Sequence, residues 1–117
     1  MSARLSIVHL NAYDHHGGAE RMANDLIAQQ RASGHDSIAL VGHKTRPDSA
    51  AIAFRTDPDL ALREEFRQSA WPDYEFRGSH RLLQHPAVQA ADLIHAHNLY
   101  GGYFHPFSLI ALSHFRP

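Results

Sequence analysis

Two places in the chain set side chains of chemical use at fixed spacing. One is His95-Ala96-His97, a pair of imidazoles one residue apart. The other is His15-His16-Gly17-Gly18-Ala19-Glu20-Arg21, where two histidines and two glycines precede an acid and a base. Alternate residues of a strand project to the same face, so His95 and His97 would stand side by side. Imidazoles titrate near neutrality and ligate zinc, but a zinc site needs at least a third protein ligand. His9, His15, His16 and His105 are the available candidates, and no HExxH pattern is present. The other reading of the pair is a half-buried His95 held by a hydrogen bond and a functional His97 at the strand's carboxyl end. The glycine pair also reads two ways. A strand that turns through glycines into a helix can hold a phosphate on its free backbone N–H groups, or it can simply turn a corner. Glu20 in a first helical turn suits the helix dipole whatever the function, whereas Arg21 opposes it and invites an anionic neighbour.

These residues need elements to position them. Leu5-Ser6-Ile7-Val8-His9-Leu10 reads as a short buried strand, followed by a polar loop from Asn11 to His16. From Ala19, the apolar residues Ala19, Met22, Ala23, Leu26 and Ile27 repeat on one helical face. Gly34 is placed to end that helix as a left-handed cap. Ser37 to Val41 reads as a second strand, closed by Gly42. Strand, helix and strand with short connections make a βαβ unit, which predicts parallel neighbouring strands. Ala51 to Phe54 suggests a short third strand and Leu60 to Ala70 a helix. Trp71 to Gly78 reads as a loop, and Ser79 to Gln84 as a brief helix stopping before Pro86. Asp92 to His97 reads as another buried strand, and Pro106 to Phe115 as a helix with proline at its first position. The fold class is therefore α/β, a Rossmann-like parallel sheet with flanking helices.

Composition narrows the function. The 117 residues suit one small domain, and 44% hydrophobic with 20% charged content suits a globular chain. With 11 Lys+Arg against 12 Asp+Glu, the net charge of -1 gives no basic footprint for nucleic acid. The absence of cysteine excludes disulfides and thiolate metal sites. The apolar stretch near the amino terminus is too short for a signal-peptide core or a membrane span, so a cytoplasmic location is expected. The histidines number 11, as many as Lys and Arg together, and raise the question of a metal site or a pH-dependent surface. A nicotinamide or flavin site needs a third glycine and an acid ending the second strand, but Gly42-His43 stands there. The Walker pattern fails as well at Gly42-His43-Lys44-Thr45. What remains is position. In an open parallel sheet, ligands bind beyond the carboxyl ends of the strands. The loops His15 to Gly18 and His97 to Tyr103 both lie on that edge.

The stretch GGAERMANDLIAQQRASGHDSIALVG resembles the first βαβ region of glycosyltransferases with the GT-B fold, in particular family four, the group 1 glycosyl transferases. ADLIHAHNLYGGYFHPFSL is similar to a segment in members that build bacterial polysaccharides. The two segments fall within Leu5 to Val41 and Ala91 to Leu109, and residues 45–89 carry no resemblance. The family implies transfer of a sugar from a nucleotide-diphosphate sugar donor to a hydroxyl of a carbohydrate or glycolipid acceptor, with retention at the anomeric carbon. It implies no cofactor and usually no essential metal. Carried over, Gly17 and Gly18 approach the donor, and His97 and Asn98 line the cleft. Substitution of Gly18 by valine is then expected to lower turnover rather than stability, by filling the donor's space and resisting a positive φ.

The resemblance makes residues 1–117 a single partial, acceptor-side domain without the carboxyl-terminal donor domain. Catalytic residues are then expected beyond Pro117, and this portion alone is expected to be inactive. Peripheral membrane contact by the full-length protein and self-association through an open sheet edge are further expectations, the latter because a buried-type strand at an edge is a liability. Two other classes stay open: a histidine-based metal-binding hydrolase or module, and a non-catalytic interaction domain.

Overall fold

A computed structural model describes residues 3–15, 17–54, 82–98 and 106–115. The expected helix at 60–70 and the loop at 71–78 lie outside them. The elements are β1 (Ser6–Tyr13), α1 (Gly18–Ala32), β2 (Asp36–His43), β3 (Ile52–Ala53), α2 (Pro86–Ala90), β4 (Leu93–Ala96) and α3 (Pro106–Phe115). The four strands form one parallel sheet in the order β3-β2-β1-β4. The α/β, Rossmann-like class expected from the sequence is thus the observed one.

β1 runs three residues further than its apolar pattern. Asn11, Ala12 and Tyr13 are strand rather than loop, because the parallel register with β2 continues to Tyr13↔His43. Pairing with a neighbour remote in sequence satisfies the backbone there, so the polar Asn11 stays in the strand and is buried. The helix α1 obeys its local code. Gly17 stands before it in extended conformation, and Gly34 (φ 91°) ends it. The Gly34 N–H donates to the Arg31 carbonyl and the His35 N–H to the Gln30 carbonyl, both at 3.0 Å, which satisfies carbonyls that a helix end leaves free. Ala23 and Ile27 are buried beneath the helix, while Met22 remains 62% exposed.

The described end of the expected brief helix is a 3-10 turn at residues 82–84 that stops before Pro86, and Pro86 itself opens a further helix, α2. The proline's missing N–H costs nothing in a first turn, and His85 Nδ1 accepts from the Ala87 N–H at 3.1 Å to cap the helix. α3 occupies the expected residues.

Strand alternation gives the sheet two faces. On one, Val8, Leu10, Ala12 and Leu40 join Leu82, Val88, Ala91 and Leu112 in the main core. On the other, under α1, lie Ile7, His9, Asn11, Ser37 and Val41, all buried. β4 departs from its reading as a wholly buried strand. Among the described residues it is one of the two edge strands, with β3 at the other side, and Leu93, His95 and Ala96 are exposed. Its start is fastened to β1, since the Ser6 N–H donates to Asp92 Oδ2 (2.9 Å) and the Asp92 N–H to the Ser6 carbonyl (2.7 Å). Among the described residues, no helix is long and apolar enough to cross a membrane.

Candidate functional site

The strand order reverses direction between β1 and β4. From β1 the chain builds outward through β2 and β3, then returns to place β4 on the other side. At such a switch point the loops leaving adjacent strands diverge and open a crevice beyond their carboxyl ends. The β1–α1 turn carries Gly17 and Gly18 to this edge, and β4 delivers His97 and Asn98 to it. The last pairing seen there is the His97 N–H donating to the Leu10 carbonyl at 3.0 Å. His16 and His105 lie outside the described residues.

On the β1–α1 side the turn is built by carboxylates. The Gly17 N–H donates to Glu20 Oε2 at 3.0 Å, and Glu20 is buried as a consequence. Glu20 thus satisfies a free donor at the helix start as well as complementing the dipole. Gly17 (φ −150°) is ordinary extended backbone, and Gly18 is the first helical residue. Among the described glycines only Gly34 has a positive φ, so the expectation that Gly18 needs one is corrected. A Cβ on Gly18 meets no atom within 4 Å, and one on Gly17 makes ordinary contact with Glu20 Oε2 at 3.5 Å. Among the described residues, the space around a Cβ on Gly18 is open.

Asp14 ties this turn to the loop after β2. Its carboxylate accepts from the His15 N–H (3.0 Å), the Thr45 N–H and hydroxyl (both 2.7 Å) and the Arg46 N–H (3.1 Å). Burial alone would raise the Asp14 pKa; these bonds outweigh it and hold the carboxyl far below the usual carboxylate range. The tie brings Arg46 to a cleft of about 390 Å³ lined also by His15, Gly17, Glu20 and Arg21. Two guanidinium-bearing residues, Arg21 and Arg46, and two carboxylates, Glu20 and Asp25, line this open cleft at the start of α1, so it is polar and balanced in charge.

On the β4 side three imidazoles meet. His9 pairs with His95 in the parallel register, and His97 follows on the same face. His9 Nε2–H donates to Gln30 Oε1 at 2.8 Å, and the Ser37 hydroxyl donates to the same oxygen at 2.7 Å. That fixes the His9 tautomer, leaving Nδ1 to accept from His97 Nε2–H at 2.8 Å. The ring centroids lie 5.2 Å (His9–His95), 5.1 Å (His9–His97) and 4.1 Å (His95–His97) apart. Burial lowers the His9 pKa, with the Gln30 bond opposing and His95 adding to the shift. Burial, then His95, then His9 push His97 down to about 4, against the pull of the Glu20 carboxylate. Both shifts favour the neutral form of the ring. The influence of Glu20 on His97 links the first turn of α1 to the end of β4.

Of the two readings of the pair, a metal site or a half-buried His95 beside a functional His97, the second assigns the burial to His95. Instead His95 is exposed, and His97 is the half-buried, hydrogen-bonded member. Of the four candidate third histidines, the structure brings His9 to the pair; one ligand nitrogen from each of His9, His95 and His97 lies within 4.8 Å of the others. Asn11, which the sequence placed in a loop, sits one step from His9 on the same face. Its Oδ1 accepts from the Ala12 N–H at 3.0 Å, while its Nδ2 is buried with no hydrogen-bond partner among the described residues. An asparagine following an apolar run that continues as strand is the trace it leaves in the sequence.

No family model, curated protein or solved structure matches the chain.

Proposed function

We propose that the chain is the acceptor-side portion of a glycosyltransferase that moves a sugar from a nucleotide-diphosphate donor to a carbohydrate or glycolipid hydroxyl. The observation that carries this reading is the placement of the two resembling segments. They lie far apart in sequence, yet their loops flank the crevice between β1 and β4, where an open parallel sheet binds ligands. Arg21 and Arg46 beside Gly17, in a cleft they share with Glu20 and Asp25, supply guanidinium donors for a diphosphate. His97 and Asn98 supply hydrogen-bonding groups for sugar hydroxyls on the opposite wall.

In this reading the portion binds and orients, and the reaction needs a second Rossmann-like domain across the cleft. The test is therefore binding resolved by residue. Backbone amide NMR of the chain, titrated with uridine and guanosine diphosphate sugars and with oligosaccharides, should move the resonances of Gly17, Gly18, His97 and Asn98. Titration that leaves all four unmoved, or moves only residues at the amino ends of the strands, overturns the reading.

A further inference from the structure

The three imidazoles at the β1–β4 junction go beyond sugar transfer. We propose that His9, His95 and His97 form a site for a divalent transition metal of the zinc type, with solvent completing the coordination.

Three features of the structure carry this. The first is convergence: two neighbouring strands deliver three ligand nitrogens within 4.8 Å of one another. Around a tetrahedral zinc with bonds of about 2.0–2.1 Å, ligand nitrogens stand about 3.3 Å apart. The His9–His97 pair, at 2.8 Å, must open slightly, and the remaining separations must close by at most about 1.5 Å. Rotation of the exposed His95 side chain covers that range. On binding, the His97 proton moves from Nε2 to Nδ1, which frees the ligating nitrogen without a change in net charge.

The second feature is the support behind the deepest ligand. His9 is fully buried, and its outer N–H is held by Gln30, itself held by Ser37. A metal-bound histidine characteristically directs its second nitrogen to such an acceptor, which sets the tautomer and aims the other nitrogen at the ion. Here the aimed atom is Nδ1, facing His97. A histidine that served only the packing of α1 would need no further imidazoles stacked against it.

The third feature is the unpartnered Asn11 Nδ2 on the same sheet face. A buried amide donor with no acceptor is costly, and a metal-bound water or hydroxide carries the lone pairs it lacks. With three protein ligands the ion keeps a coordination position free, the arrangement of reactive rather than purely structural zinc.

The experiment uses tag-free protein stripped with a chelator and titrated calorimetrically with Zn²⁺. One equivalent should bind and raise the melting temperature, and Co²⁺ should give visible d–d absorption. His95→Ala, at an exposed position that leaves the fold intact, should lower affinity at least about 100-fold and abolish the cobalt spectrum. Gln30→Leu should weaken binding about 10–100-fold while all three ligands remain. His114→Ala, on the surface of α3, should change nothing. Failure to bind Zn²⁺ more tightly than millimolar, or equal affinity in His95→Ala and the unsubstituted chain, overturns the proposal. Neither result depends on whether nucleotide sugars bind.

Discussion

The two faces of the sheet are made by the same strands and differ in almost everything else. Val8, Leu10, Ala12 and Leu40 turn to one side and close an apolar core with Leu82, Val88 and Leu112. One residue along, His9, Asn11 and Ser37 turn to the other side, equally buried but polar. Apolar burial is favourable whatever its neighbours, at about 25 cal/mol per Å². Polar burial is tolerable only where each group finds a partner. The first face therefore explains why the chain folds. The second face also buries Ile7 and Val41 beneath α1, and it is the His9–Gln30–Ser37 network and the Asn11 Nδ2 set among them that need a reason beyond folding.

That division can be broken most forcefully from the apolar side. Leu10→Ala removes a fully buried side chain and should destabilise by about 3 kcal/mol, read by urea denaturation. A loss under about 1 kcal/mol would mean that the main core lies elsewhere. Next comes Asp14→Ala, which strips the tie between the β1 and β2 loops and should cost about 2 kcal/mol at pH 7. Because the folded Asp14 pKa is depressed, its contribution is full above the ordinary value of 3.8 and is lost as pH falls below it. The gap between Asp14→Ala and the unsubstituted chain should therefore narrow in acid. A gap that is constant with pH would remove the carboxylate from the account.

The polar face yields smaller effects. Asn11→Leu removes a buried Nδ2 that has no partner among the described residues, but also the Oδ1 that accepts from the Ala12 N–H at 3.0 Å, so stability should change by no more than about 1 kcal/mol either way. A drop larger than that would show the amide to be structurally satisfied. Smallest of all is Gly18→Ala, whose added methyl meets open space in the first turn of α1. Its melting temperature should hold or rise by no more than about 5 °C, since alanine favours helix over glycine by about 1 kcal/mol at most. Any loss should instead appear in nucleotide-sugar binding. A large fall in melting temperature would make the glycine a folding requirement.

How much of this the sequence disclosed follows the range of the interactions. α1 was legible because its apolar repeat, Glu20 and Gly34 act within a few residues of one another. α3 was legible from Pro106 and a continuous apolar stretch. The carboxyl half of β1 was not, because Asn11 to Tyr13 are strand only by virtue of β2, some thirty residues on. α2 was missed because proline both stops and starts helices, and the choice was made by His85 as its cap. Gly17, Gly18, His97 and Asn98 could be placed at the strand ends in advance. His9 could be named only as one of four candidates, since its pairing with His95 joins residues separated by almost the whole described chain.

The Asp14 tie has one more consequence. Thr45 and Arg46 are exposed residues, yet their amide hydrogens are held by a buried carboxylate. The cleft rim should therefore exchange amide hydrogen with solvent as slowly as a strand, although it is loop. A mouth already ordered before its ligand arrives gives up little conformational entropy on binding, so more of the contact energy is left to show as affinity.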